Sequence, residues 1–159
     1  MRILIAAVGR LKPEERAIVA RYAKRFDQTG KSLGLGPLSF IELPEGKAGN
    51  SPARQADEAR RLIAAADKSA LTIVLDGGGK LLSSETFAKL LQQNADAGGK
   101  ACSFLIGGPD GHGEAALKGA TLTLSLGPMT LPHGLARVVL TEQLYRAATI
   151  LAGHPYHRA

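Results

Sequence analysis

Five short apolar runs, Ile3 to Val8, Leu38 to Leu43, Leu71 to Asp76, Cys102 to Ile106 and Leu122 to Leu126, recur along this chain with stretches of helical period between and after them. The helical stretches run from about Glu14 to Gln28, Pro52 to Ala66, Ser84 to Asn94 and Glu114 to Gly119, and a long terminal helix opens at Leu131-Pro132-His133. Strands that alternate with helices predict an α/β protein: a mostly parallel sheet with helices on both faces, because each parallel connection must travel back across a face of the sheet. Local chemistry agrees. Ser83-Ser84-Glu85 offers an N-cap followed by an acid in the first turn, and Gly98-Gly99 closes the segment that follows. The loops rich in Gly and Pro are short and the pattern resumes after each, so residues 1–159 are expected to form one domain.

Apolar residues make up 45% of the chain and charged residues 21%, and no apolar run approaches the roughly 18 residues a membrane span needs. The first apolar run passes straight into Gly9-Arg10-Leu11-Lys12-Pro13 without a cleavage site, so it reads as a buried strand rather than a signal peptide. The lone Cys102 sits within an apolar strand as a small core residue, which fits a reducing cytoplasm. A net charge of +6 favours an anionic partner, nucleic acid first among them. Arg10, Lys12, Arg16, Arg21, Lys24, Arg25 and Lys31 equally suit a solvated helix face. Their clustering, with a basic tail at the other end of the chain, strengthens the nucleic-acid reading.

The terminal helix carries Leu135, Val138, Val139, Leu140, Leu144, Tyr145, Ala147, Ala148, Ile150 and Leu151 on more than one side. Such a helix needs cover on more than one side, and a second copy of the chain is the expected cover. Glu142 and Arg146 form an acid-to-base pair one turn apart.

Two glycine-rich segments read as punctuation between strand and helix at the carboxyl edge of the sheet, where open α/β folds bind ligands. Asp76-Gly77-Gly78-Gly79-Lys80 lacks the upstream glycine of a phosphate loop, and Leu81 stands where Ser or Thr would be required. After the turn that begins at Gly107, Gly111-x-Gly113-x-x-Ala116 matches a dinucleotide fingerprint only loosely, because the glycines begin four residues earlier and no acid lies some 20 residues on. His154 and His157 flank Pro155 without a Cys or carboxylate cluster, so no metal is expected. No Gly-x-Ser-x-Gly elbow is present.

Several elements taken together resemble one family: Ala7-Val8-Gly9-Arg10-Leu11-Lys12, Leu75-Asp76 with Gly79-Lys80, and Phe104-Leu105-Ile106-Gly107-Gly108-Pro109-Asp110-Gly111. To these are added Leu126-Gly127-Pro128-Met129-Thr130-Leu131-Pro132-His133, and Leu144-Tyr145-Arg146-Ala147 closing on His154-Pro155-Tyr156-His157-Arg158. The family is the bacterial ribosomal RNA large subunit methyltransferase H family of the SPOUT class, and the resemblance covers the whole chain.

The resemblance implies a C-terminal trefoil knot, a homodimer, and S-adenosylmethionine held by Leu75, Gly107 and the segment Leu126, Gly127, Pro128, Met129, Thr130 and Leu131. The implied reaction is methylation of N3 of a pseudouridine (pseudouridine 1915 in the family) in 23S rRNA, within the assembled ribosome. Tyr156, His157 and Arg158 match the family's terminal motif and are expected to reach the partner's site. There Tyr156 would stack on the base while His157 and Arg158 handle proton and charge, with Arg137 a further catalytic candidate. Two other readings stand beside this one: a noncatalytic ribosome-associated RNA-binding module, and a SPOUT methyltransferase acting on tRNA.

Overall fold

Residues 1–68 and 71–158 are described by a computed structural model; of the expected domain, Ser69, Ala70 and Ala159 lie outside the described residues. Five strands, β1 (Arg2–Val8), β2 (Leu38–Leu43), β3 (Leu71–Leu81), β4 (Ala101–Ile106) and β5 (Leu122–Ser125), pair in the order β2-β1-β4-β3-β5. All four pairings are parallel. Their carboxyl ends therefore share one edge.

The period of two along the strands sorts side chains into two layers. Ile3, Ile5 and Ala7 of β1 join Phe104, Phe26, Phe87, Leu91, Leu140 and Leu144 in the larger one. The last five come from α1 (Pro13–Gly30), α3 (Ser84–Asp96) and α5 (His133–Leu151). Ala6 and Val8 face the other way and pack with Val74, Leu105 and Leu62, the last from α2 (Ser51–Ala65); Leu117 of α4 (Glu114–Gly119) joins them. Strand β4 is buried at all six positions, as a central strand covered on both faces must be. Phe104, which is fully buried and meets Phe87 edge-on, is a keystone of the larger layer. Truncating it to Ala removes roughly 3–5 kcal/mol of stability.

One expectation is corrected. Asp76 to Lys80 is not a turn between strand and helix, because β3 continues to Leu81 with a register shift between Leu75 and Lys80 against β5. The glycines serve a bulge. A Cβ on Gly79 would lie 2.7 Å from the backbone of Thr123 and Leu124, so only glycine lets the strands close, and Asp76 Oδ1 accepts the Gly78 N–H at 2.9 Å inside the bulge. Among the described residues no helix is long and apolar enough to cross a membrane.

Candidate functional site

The chain leaves β5 at one edge of the sheet and reappears at β1, three strands away. His133, the first residue of α5, lies over Gly9 at the end of β1, where an added Cβ would meet its ring at 2.7 Å. Residues 126–132 therefore cross the carboxyl edge. Ser125 braces the start of the crossing: its hydroxyl donates to the Gly127 carbonyl at 3.0 Å, and its oxygen lies 3.2 Å from the Gly127 N–H. Gly127 has φ +138°, a conformation that favours glycine.

Beneath this crossing lies a cavity of about 680 Å³. Leu75 and Asp76 at the bulge of β3, Gly107, Gly108 and Gly111 after β4, and Leu126, Gly127, Pro128, Met129, Thr130 and Leu131 line it. All eight positions expected to hold a cofactor thus stand around one space. Met129 is 82% exposed and Leu131 37%. Apolar side chains left open at the mouth of a cavity are available to a ligand or to a second chain.

The glycine turn that forms the second wall is held from two sides. Within it, Gly111 N–H bonds the Gly108 carbonyl at 3.0 Å, and Gly107 N–H donates to His112 Nε2 at 3.1 Å. An accepting Nε2 fixes His112 as the neutral tautomer with its proton on Nδ1. Burial depresses the His112 pKa below its ordinary value, against the pull of Asp76, neighbouring carbonyls and Glu58. Outside the turn, Asp110 receives Arg54 Nε at 2.8 Å and the Ser51 hydroxyl at 2.9 Å, while Gln55 donates to its carbonyl. The Arg54 hydrogen bond, then that of Ser51, lowers the Asp110 pKa. Glu58 of α2 is buried against Gly108, where its Oε2 would stand 2.9 Å from an added Cβ. His112, Arg54 and Glu58 were not anticipated as parts of the site. His112 sits beside the glycine turn in sequence and could have been noticed there; Arg54 and Glu58 have no local signal.

Arg137 is fully buried and does not line the cavity. Its guanidinium donates to Glu42 Oε2 at 2.8 Å and to the Gly9 carbonyl at 2.9 Å. Glu42 also accepts the Leu11 N–H and Arg16. Partial burial would raise the Glu42 pKa, but these hydrogen bonds and the Arg137 charge bring it down to about 2.

The tail folds back onto its own chain. The Tyr156 ring lies 4.6 Å from that of Tyr145, its hydroxyl donates to Glu142 at 2.9 Å, and the Arg146 guanidinium stands 4.9 Å from its centroid. His157 bridges Arg146, at Nδ1 and 3.3 Å, and Glu85, at Nε2 and 2.8 Å. Because arginine only donates, Nδ1 accepts and Nε2–H points to Glu85, the neutral tautomer. Arg158 is exposed. None of the three lines the cavity of its own chain. Cys102 is fully buried, and burial pushes its thiol up to about 12, so it is not a nucleophile. Among the described residues no group of three or more His, Cys, Asp or Glu could hold a metal ion.

A parallel sheet with a cavity built over its carboxyl edge from the bulge of β3 and the loops after β4 and β5 defines a ligand-binding α/β protein. A family model described as predicted SPOUT methyltransferase matches residues 1–157. The chain belongs to the SPOUT methyltransferase family and, within it, to the ribosomal RNA large subunit methyltransferase H proteins. Proteins of that name from Xanthobacter autotrophicus and Brucella anthropi are 49% and 48% identical to it over 160 residues, each alignment covering both chains entirely. A probable methylase family protein from Haemophilus influenzae superposes with a TM-score of 0.52 at 16% identity, covering 99% of this chain and 70% of that one; this likeness concerns the fold.

Proposed function

We propose that the protein methylates N3 of a pseudouridine in large-subunit ribosomal RNA, using S-adenosylmethionine, on the assembled ribosome and as a homodimer. The observation that carries this reading is the cavity beneath residues 126–132, in a chain whose full-length relatives are named for this RNA. Its volume suits a nucleoside-sized ligand, and its lining combines apolar side chains with glycines that let a ligand approach the backbone closely. Leu75, Gly107 and residues 126–131 would hold the cofactor, which when bound supplies an electrophilic methyl group on a sulfonium.

The protein's own residues have the remaining work. N3 of a neutral pseudouridine carries a proton, which must leave before or as the methyl arrives. His157 is assigned to accept it and Arg158 to stabilise the negative charge on the base. Tyr156 is assigned to stack on the base, which requires release from Arg146 or Tyr145. Since these three stand outside their own cavity, the reading places them in the partner's site. The half-buried Val138 and Val139 and the exposed Leu135 leave α5 an apolar side for that partner. The reading also includes a trefoil knot, in which the crossing segment 126–132 passes beneath the turn after β4, and treats residues 1–159 as one domain.

The test uses large ribosomal subunits from a strain lacking the gene, incubated with the protein and methyl-labelled S-adenosylmethionine. Mass spectrometry of the digested RNA should find one added methyl on N3 of one pseudouridine. Label on tRNA instead, or no transfer, overturns the reading.

A further inference from the structure

Lys12, Arg16, Arg21, Lys24, Arg25 and Lys31 are all exposed cations on or beside α1, and the last four stand apart from Lys12 and Arg16 at its start. Arg16 is spent on Glu42. Arg21, Lys24 and Arg25, with Lys31 just after the last residue of α1, are spaced by three, one and six residues, which places them on one arc of the helix, opposite the buried Val19 and Phe26. Among the described residues none of these four makes an ion pair. The nearest acid in sequence, Asp27, is occupied by the Leu38 N–H. The stripe is about 15 Å long from Arg21 to Lys31.

Its position is what gives it a partner. The Arg25 guanidinium lies 5.9 Å from the rings of both Tyr22 and Tyr145, and Tyr145 is the ring on which Tyr156 packs. The row of cations therefore leads, through Tyr22 and the buried Tyr145, to Tyr156 of the tail, the residue assigned to the base, and a cationic track that approaches a base-stacking ring is what a single-stranded RNA segment requires. We infer that Arg21, Lys24, Arg25 and Lys31 bind the phosphate backbone of the large-subunit RNA next to the nucleotide that is methylated. This rests on the reading that ribosomal RNA is the substrate.

The experiment is the variant Arg21→Gln, Lys24→Gln, Arg25→Gln and Lys31→Gln, in which glutamine keeps the helix while removing four charges. Affinity for purified large subunits is measured by filter retention across a salt series, S-adenosylmethionine affinity by calorimetry, and folding by thermal melting. The expected result is binding to subunits weakened about tenfold or more near physiological salt, with a salt slope shallower by up to about four, on the order of one for each phosphate that is no longer neutralised. Cofactor affinity and melting should stay as in the parent protein, and Lys24→Arg with Lys31→Arg should bind as the parent does. Unchanged affinity and slope in a folded variant overturn the inference. Should the fourfold variant fail to fold, the four single substitutions decide the same question, each expected to reduce the slope by about one, and an unchanged slope in all four overturns the inference. The two readings fail separately: normal methylation with indifferent binding removes only the stripe, and absence of methylation by the parent protein removes only the reaction.

Discussion

Arg54 and Asp110, 56 positions apart in the chain, meet at 2.8 Å between Nε and Oδ2, and this pair joins α2 to the glycine turn that walls the cavity. Asp110 sits inside the turn, so the pair governs where Gly107 to Gly111 stand relative to Leu126 to Leu131. Both side chains are partly exposed, which limits what the pair adds to folding. Its larger effect is positional.

Arg54→Ala should therefore weaken S-adenosylmethionine binding several-fold while the melting temperature moves little. Calorimetry and a thermal melt measure the two, and Arg54→Ala combined with Asp110→Ala should cost little more than either change alone. Equal affinity in parent and variant would show that the turn holds its shape without α2.

Gly107→Val acts through the turn itself. A Cβ at Gly107 would stand 3.0 Å from the Gly111 carbonyl and 3.3 Å from His112 Cε1, so a branched side chain displaces the turn before it reaches the cavity. Both cofactor affinity and stability should fall, with Gly107→Ala intermediate. A variant that loses affinity with an unchanged melt contradicts this account and places the ligand against Gly107 directly.

Acid should loosen the protein in two steps of the same sign. His112 is held below its ordinary pKa of 6.5, so the unfolded chain binds its proton first and stability declines as pH falls through and below about 6.5. Glu42 is lowered from 4.5 to about 2, so its contribution is complete above 4.5 and is lost as pH falls from there towards 2. Denaturant titrations at a series of pH values should show the first decline disappear in His112→Gln and the second in Glu42→Gln.

Arg137→Ala separates a packing role from a catalytic one. Its side chain is 2% exposed, so its removal empties a buried site, but Glu42 is 26% exposed and keeps Arg16 and the Leu11 N–H, which limits the expected cost to about 1–3 kcal/mol. Chemical denaturation should show a loss approaching that size. A variant that melts like its parent yet has lost its activity would instead place Arg137 in the reaction.

The tail is tested by complementation. Removing Tyr156, His157 and Arg158 should leave a folded dimer that binds S-adenosylmethionine but hardly methylates ribosomes. Mixing it with a variant defective only in the cofactor cavity should restore activity, because the tail-less chain then borrows the intact tail of its partner. Heterodimers that form yet stay inactive would show that each tail serves its own chain.

Much of the fold was legible because strands and helices announce themselves by period: the five runs and five helices stand where the pattern put them, to within a few residues, except at β3. There the glycines from Gly77 to Gly79 resembled a turn. Their real reason, the close approach of the β5 backbone, depends on a pairing partner more than 40 positions away and leaves no local mark. The same limit governed the site. Leu75, Gly107 and the segment from Leu126 were named because contiguous motifs carry a family resemblance. The hold of Arg54 on Asp110 and the burial of Glu58 behind Gly108 are created by folding, as is the commitment of Arg137 to Gly9 across 128 positions.

The crossing of residues 126–132 also sets an order of events in the life of the chain. During synthesis the sheet's central pairing of β1 with β4 can form while the last quarter of the protein is still in the ribosome. The third wall of the cavity then exists only after α5 has docked its first turn against Gly9 and Glu42. A nascent chain, or one cut before α5, therefore lacks this cavity however much sheet it retains, whereas loss of the tail beyond α5 leaves the lining in place.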